Sequence, residues 1–247
     1  TVRIVGRDSQ SGESPRHFEG SSIGDWVKSA SPQAKSIAIG SDAAIVYGGR
    51  KPDGVYWFDP AAGGFTTSTY YSTTRPAWVE ALNASIAGLP REWAYEVPEQ
   101  WRRLADHPDR CPPMQPLQGF PHRFDAANGS HLSWVGSTPL IDDLLLRQVG
   151  NIVQAERLGT DSTPDYLAIA VSSTDSVGHE YGPVSEEQVD ALLRLDAALG
   201  AMLDDLDRIV GKGRYVVGIS ADHGSVDPPE QNCLRRVTTP EIEAVLD

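Results

Sequence analysis

The segment 166–224 constrains the fold more than any other stretch, because it predicts two strands joined by one long helix. The apolar run 166–171 has polar residues on both sides and no polar alternation, which is typical of a strand buried on both faces. A second apolar run, 215–219, follows the helix. Strands joined through a helix are usually parallel members of one sheet. The sequence therefore predicts an α/β fold with a mainly parallel sheet between helices.

The helix between these two strands is predicted to begin after Ser185 and to end at Gly211. Ser-Glu-Glu-Gln at 185–188 forms a capping box, in which Ser185 accepts from a free backbone N–H and Gln188 reaches back. Gly211 can adopt a positive φ and so end the helix. The residues 172–183, which precede the helix, are predicted to form a polar loop. The apolar stripe of the helix has a period close to 3.6 and consists of Val189, Leu192, Leu193, Leu199, Leu203, Leu206 and Val210.

Four side chains of metal-ligating type follow the two predicted strands. Asp175 and His179 come after the first strand, and Asp222 and His223 come after the second. Because parallel strands end at one edge of the sheet, where ligands of open α/β sheets bind, we expect the four side chains to converge. Aspartate oxygen and histidine nitrogen suit Zn²⁺ or a similar divalent ion, and a pair of ions about 3.5–4 Å apart suits phosphoryl or sulfuryl transfer. The alternative is two hydrogen-bonded loops that hold no ion.

The sequence around these residues resembles that of the alkaline phosphatase superfamily. The resemblance is to its bacterial alkaline phosphatase / type I phosphodiesterase–nucleotide pyrophosphatase branch. The resemblance implies a metal-dependent phosphoric ester hydrolase that acts on a small-molecule phosphate ester. It also implies two divalent ions, zinc being the expected metal, with Asp175 and His179 on one ion and Asp222 and His223 on the other. A sulfatase-like hydrolase or a non-catalytic metal-binding remnant are the alternatives. The segments that carry the resemblance are 36–59, 63–71, 75–83, 138–159, 171–207 and 216–224.

Two parts of the family pattern are not found in this sequence. The family's first strand supplies another aspartate ligand and a Thr or Ser nucleophile, and Thr1 falls downstream of that position. A final histidine ligand of the family lies beyond Asp247. We therefore predict that residues 1–247 are a single partial domain without a catalytic nucleophile, and that these residues alone are nearly inactive.

The turn after the predicted strand 35–39 departs from the family pattern in its charge. In the monoesterase branch a Lys-x-Arg pair grips the phosphate oxygens at this place, and the matching residues here are Gly40 and Asp42. Asp42 is thus a candidate substrate-binding residue, but its carboxylate repels a phosphate monoester dianion. We hypothesise that phosphodiesters or related esters are the better substrates. The alternative is a shifted alignment, in which the positive charge comes from Lys35, Arg50 or Lys51.

The helical and strand periodicity fades between residues 84 and 136, which are rich in Pro, Arg and aromatic residues. Such a long irregular stretch is predicted to be an insertion, and in the resembled family insertions of this kind cap the site and influence substrate choice. Its histidines (His107, His122 and His131) have no partner at metal-binding spacing, so we interpret them as surface or packing residues. Elsewhere, 55–71 predicts a β-hairpin, and Thr138-Pro139 predicts the start of a helix that Gly159 closes.

Composition and charge exclude some classes of partner. The formal net charge is −13, with a pI near 4.8, which argues against a nucleic-acid surface or binding to an anionic membrane. No apolar run has the length of a membrane span, and no signal peptide is visible. The resemblance nevertheless implies a periplasmic or secreted location. Cys111 and Cys233 are too few for a disulfide framework, so one bridge and two free thiols both remain open.

Overall fold

The computed structural model describes residues 2–8, 12–95, 97–102 and 119–227, together with 229, 234, 237 and 239–246. The strands are β1 (Ser36–Gly40), β2 (Gly54–Asp59), β3 (Gly64–Thr66), β4 (Glu92–Trp93), β5 (His122–Arg123) and β6 (Tyr166–Ala170). The helices are α1 (Ile23–Ala30), α2 (Ala44–Tyr47), α3 (Ala77–Ile86), α4 (Glu99–Arg102), α5 (His131–Gly136), α6 (Leu140–Glu156), α7 (Ser173–Tyr181), α8 (Glu186–Leu206) and α9 (Thr239–Leu246). Cys111, Cys233 and His107 lie outside the described residues, so the predictions about them are not addressed.

A four-stranded sheet in the order β3-β2-β1-β6 forms the centre of the fold. Strand β1 pairs in parallel with both β2 and β6, and β3 pairs antiparallel to β2. Every residue of β1 is buried, because helices cover both faces of the sheet. The prediction of a mainly parallel sheet between helices is confirmed.

Alternation along β1 explains how the two faces differ. Ile37 and Ile39 point into the larger core, which α3, α6 and α8 complete. Ala38 faces the opposite way, into a smaller core with Ala44 of α2 and Val55 of β2. Large aliphatic residues on one face and alanine on the other fit a thick helical layer and a thin one, respectively.

The predicted hairpin and the helix after Thr138 are both present. Strands β2 and β3 are joined by a short 3-10 turn and by Gly63, which has a φ of 88°. Helix α6 starts at Leu140 and ends at Glu156, where Arg157 takes a left-handed conformation with a φ of 56°. The helix therefore stops before Gly159, because a non-glycine residue supplies the positive φ that ends it.

The predicted polar loop 172–183 is wrong, because residues 173–181 form helix α7. Its amino end is held from outside the helix: the backbone N–H of Ser173 donates to Asp142 Oδ2 at 2.7 Å. Val177 is its buried apolar side chain, so the sequence carries no helical stripe that would have indicated this element. Helix α8 follows with the predicted Ser185 cap, whose Oγ accepts from the backbone N–H of Gln188 at 3.0 Å.

The predicted strand 215–219 is also wrong. These residues are described, and they form no strand and pair with no other described strand. Val216 is 98% exposed and Ile219 is 79% exposed, so within the described part of the chain β6 pairs on one side only, with β1. An apolar run favours a strand but does not determine its partner, because strand pairing depends on contacts far away in the sequence.

The region 84–136 contains more regular structure than its composition predicts. Helix α3 continues to Ile86, and β4 and β5 form a two-stranded antiparallel ribbon. The assignment of 84–136 as an inserted cap stays a prediction. Among the described residues, no helix is both long enough and apolar enough to cross a membrane.

Candidate metal centre

The first predicted ligand pair lies on one face of helix α7. Asp175 and His179 are four residues apart, which places their side chains one above the other on a helix. His179 Nε2 is 3.3 Å from Asp175 Oδ1. The acid and the imidazole of this pair therefore point to one place, although the sequence predicted a loop there rather than a helix.

The second predicted pair reaches the same carboxylate. His223 Nε2 is 3.5 Å from Asp175 Oδ1 and 3.8 Å from Asp222 Oδ2. The ring centroids of His179 and His223 are 6.3 Å apart, so Asp175 stands between two imidazoles. The four side chains are 47% to 74% exposed and open to solvent.

A glycine on α7 allows the second pair to approach. A Cβ added to Gly178 would lie only 3.3 Å from Ser225 Oγ, so the segment that follows His223 passes close to the helix there. Contact with α7 thus brings the two pairs together, although the expected pairing of strand 215–219 with β6 is missing.

The hydrogen bonds of His223 leave one ring nitrogen available. Its Nδ1 donates to the carbonyl of Gly224 at 2.8 Å, which leaves Nε2 facing Asp175. The Gly224 carbonyl raises the pKa of His223 above its ordinary value, and the charges of Asp222 and Asp175 add to this effect. An imidazole with one nitrogen bonded to a backbone carbonyl and the other free is typical of metal-ligating histidines.

The donor set fits a divalent metal in chemistry but not as a closed cage. Two carboxylates and two imidazoles are suitable ligands for zinc. Among the described residues, however, no three His, Cys, Asp or Glu side chains are arranged tightly enough to hold one ion. The arrangement is two acid–imidazole pairs that share Asp175 as their meeting point.

A cleft of about 320 Å³ lies at the carboxyl ends of β1, β2 and β6. Asp42 lines it, as the position of its turn at the end of β1 predicts. The other polar and charged lining residues are Arg7, Glu13, Ser41, Asp59, Asp142, Ser172 and Ser173. Four carboxylates face one guanidinium, and Arg7 Nη1 lies 3.4 Å from Asp59 Oδ2. Ser173 also lines the cleft and lies two residues before Asp175 in the sequence. One end of the cleft lining is therefore close in the sequence to the candidate metal centre.

The cations considered for a shifted alignment do not reach this cleft. Lys35, Arg50 and Lys51 are absent from the described residues that line it. The Lys35 ammonium instead donates to the carbonyl of Glu156. Arg7 supplies the positive charge of the cleft, and no spacing in the sequence had indicated this residue.

Asp142 is a further residue that the sequence did not single out. Burial raises the pKa of its carboxyl group, although the hydrogen bonds from Ser173 and Ser172 act in the opposite direction. Asp142 lies in the first turn of α6 and bonds the first residue of α7, 31 positions away. Only the tertiary structure reveals this link, which ties the cleft to the helix that carries Asp175.

Comparisons with known proteins agree with this architecture. Residues 4–241 match the profile of the family described as type I phosphodiesterase / nucleotide pyrophosphatase. The chain is 32% identical to alkaline phosphatase PhoV of Synechococcus elongatus over 245 residues, which cover 93% of this chain and 44% of that protein. It is 32% identical to alkaline phosphatase PafA of Elizabethkingia meningoseptica, over 91% of this chain and 44% of that protein.

A solved structure of one of these relatives has a fold similar to that of this chain. The crystal structure of a quadruple mutant of alkaline phosphatase PafA superposes with a TM-score of 0.81 at 30% identity. The match covers 100% of this chain and 51% of that one. The chain thus spans about half the length of the relatives it matches, and it has their alkaline-phosphatase-like fold. Because the match extends over residues 4–241, the chain belongs to the type I phosphodiesterase / nucleotide pyrophosphatase family.

Proposed function

We propose that the protein carrying this chain is a metal-dependent phosphoric ester hydrolase. The observation that supports this most directly is the position of Asp175 between His179 and His223, on the helix whose first residue, Ser173, lines a cleft at the sheet edge. Membership of a family of phosphodiesterases, with relatives named alkaline phosphatases, supports a phosphoester as the substrate. The same relatives support a periplasmic or secreted location as the one to test first.

The proposed ligands fall into the two pairs that the sequence predicts. Asp175 and His179 would hold one ion, and Asp222 and His223 would hold the other, with zinc as the proposed metal. When bound, two divalent ions supply positive charge that polarises the ester and stabilises its attacking and leaving oxygens. We assign no nucleophile among residues 1–247.

The contribution of the chain itself is to hold and orient these ligands. The Gly224 carbonyl accepts from His223 Nδ1 and thereby directs Nε2 toward the centre. The Asp142 carboxylate fixes the first turn of α7, which sets the position of Asp175 two residues later. The four side chains are exposed, so a substrate can reach them from solvent.

Removal of the metal tests the proposal. The natural-length protein is expected to hydrolyse an aryl phosphate ester, to lose that activity after treatment with a chelator, and to regain it with added zinc. The reason is that the bound ions would supply the positive charge that stabilises the attacking and leaving oxygens. The measurement combines metal content by mass spectrometry with release of nitrophenol. Undiminished hydrolysis by demonstrably metal-free protein would contradict the proposal. Stoichiometric metal without hydrolysis would favour the non-catalytic alternative, and turnover of an aryl sulfate alone would favour the sulfatase-like one.

We also propose that diesters are preferred to monoesters. The carboxylates of Glu13 and Asp42 line the cleft, where the described cation Arg7 already pairs with Asp59, so a dianion is repelled there more than a monoanion. The kcat/KM for an aryl phosphodiester is expected to exceed that for the matched monoester. Asp42→Asn is expected to raise the monoester value by roughly 5- to 10-fold while changing the diester value little, since about 1 kcal/mol of repulsion is removed.

The control for this prediction is Asp196→Asn, which removes one charge from an exposed position on α8. It is expected to leave both kcat/KM values unchanged, because Asp196 does not line the cleft and solvent and salt screen an exposed charge. Equal or faster monoester hydrolysis by the unsubstituted protein, as the names of its relatives suggest, would overturn the diester assignment while leaving the phosphoester assignment intact.

A further inference from the structure

The β4–β5 ribbon packs against the face of helix α7 that is opposite the candidate metal centre. Trp93 of β4 is buried together with Val177 of α7 and Ala191 of α8. Val177 lies between Asp175 and His179 in the sequence. The region predicted to cap the site therefore also supports its ligand helix from behind.

Trp93 is held in place by a buried carboxylate of α8. Its indole Nε1–H donates to Asp190 Oδ2 at 2.6 Å, and the Nε of Arg194 donates to the same oxygen at 2.6 Å. Arg194 Nη2 also donates to the carbonyl of Ala94 at 3.0 Å, so it bonds both α8 and the end of the ribbon. A buried charge that is paired and hydrogen-bonded in this way fixes the ribbon to α8.

His122 of β5 makes the second attachment, and this one reaches α7. His122 and Glu187 are each 7% exposed, and His122 Nε2 lies 3.0 Å from Glu187 Oε1. On the other side of the ring, the hydroxyl of Tyr181 lies 3.4 Å from Nδ1, with the ring centroids 4.9 Å apart. Tyr181 is the last residue of α7, two positions after His179.

The Glu187 carboxylate sets the direction of one of these two contacts. A carboxylate oxygen accepts, so His122 Nε2–H donates to Glu187 Oε1. The Tyr181 hydroxyl lies at the opposite nitrogen of the same ring. One imidazole thus joins the carboxyl end of α7 to the first turn of α8.

Helix α7 depends on such outside attachments. It has nine residues, and an isolated helix of that length is not stable in water. Asp142 holds its first turn and His122 holds its last, while Asp175 and His179 lie between these two points. The spacing of the two ligands therefore depends on both ends being held.

We propose that His122 is a positioning residue, which holds α7 through Tyr181 and Glu187 so that Asp175 and His179 keep the spacing that metal binding needs. This rests on the proposed function for the role of the two ligands. The sequence suggested that His122 is a packing residue. In this proposal His122 acts on the candidate centre through Tyr181 and Glu187, and it is itself neither a metal ligand nor a substrate contact.

The test compares two variants of the natural-length protein. His122→Phe keeps an aromatic ring but leaves the buried Glu187 carboxylate unpaired, so both thermal stability and metal affinity are expected to fall. The double variant His122→Phe/Glu187→Leu removes the stranded charge as well and is expected to recover most of the stability. Its metal affinity is expected to remain about 10-fold or more below the parent value, as for other residues that orient ligands.

Hydrogen exchange gives a readout that does not require metal. In metal-free protein, the amides of α7 are expected to exchange faster in the double variant than in the parent. The matched control is Glu92→Gln/Arg123→Gln, which removes a 2.8 Å ion pair from the same ribbon, where Arg123 is 68% and Glu92 is 44% exposed. This control is expected to change neither the metal affinity nor the amide exchange of α7.

A double variant with parental metal affinity and parental exchange in α7 would overturn the positioning role and leave His122 a packing residue. His179→Ala separates that result from a failure of the proposed function. If His179→Ala leaves metal binding unchanged, the ligand assignment is wrong, and the exchange of α7 still decides whether His122 holds the helix.

Discussion

Gly40→Ala is expected to destabilise the protein by at least about 4 kcal/mol, because the substitution combines a backbone clash with a disfavoured conformation. Gly40 ends the central strand β1 with a φ of 139°. A Cβ at this position would lie 2.0 Å from the carbonyl oxygen of Ala170 in β6. That oxygen also accepts from the N–H of Ser41 at 2.8 Å, so moving β6 away would break this bond and disturb the parallel pairing.

The measurement is urea unfolding of the variant beside Gly63→Ala. Gly63 also has a positive φ, of 88°, but nothing lies within 4 Å of its added Cβ. The control therefore isolates the conformational cost, which is roughly 1–2 kcal/mol. If the two variants lose the same stability, crowding against Ala170 is not what requires glycine at position 40.

This crowding also bears on substrate preference. Gly40 is the position that matches the lysine of the monoesterase pattern, and in this backbone even a methyl group has no room there. Asp42 is therefore the better position at which to alter the charge of the cleft. For the same reason, the absence of a lysine at position 40 fits the close approach of β1 and β6.

Asp175→Asn is expected to lower metal affinity and phosphoesterase activity by at least about 100-fold, which is beyond the range for residues that only orient a ligand. Asp175 is the one carboxylate within 3.5 Å of both His179 Nε2 and His223 Nε2 among the described residues. Loss of its charge weakens both proposed ion sites at once. Asp222→Asn is expected to have a smaller effect, because Asp222 Oδ2 lies 3.8 Å from His223 Nε2 alone.

Calorimetric titration of zinc into metal-free protein, with kcat/KM on the same preparations, measures these effects. Glu180→Gln is the matched control, since it removes an exposed carboxylate from the same helix without touching either pair. An Asp175→Asn protein that binds zinc as tightly as the Glu180→Gln protein would remove the basis for the candidate centre.

The comparison of α7 with β6 shows where reasoning from the sequence succeeded and where it failed. The apolar residues of 166–171 predict a buried strand, and the structure confirms a strand at Tyr166–Ala170, because that preference is local. Its burial is only partial, since Ala168 and Ala170 are buried and the other three residues are partly exposed. Helix α7 was missed because the contacts that hold it come from Asp142, Trp93 and His122, which lie 31 to 84 positions before the α7 residues they bond or pack with. No periodicity within nine residues records contacts of that kind.

The candidate centre illustrates the same division. Chemistry and spacing alone named Asp175, His179, Asp222 and His223, and the four side chains do lie together. The expected route to this arrangement was a second strand beside β6, and that strand is absent from residues 215–219, which the structure describes. Contact between the 222–225 segment and α7 at Gly178 brings the pairs together instead.

The sequence by itself predicted strands β1 and β6, the long helices α6 and α8, the hairpin and a set of candidate ligands, because these predictions depend on neighbouring residues and on side-chain chemistry. The tertiary structure alone decided that 173–181 is helical, that 215–219 stays outside the sheet, and that Asp142 and His122 contact helix α7 at its two ends. The physical reason is that burial and pairing of polar groups depend on which distant segments meet, whereas periodicity reports only the preference of one segment for a buried face.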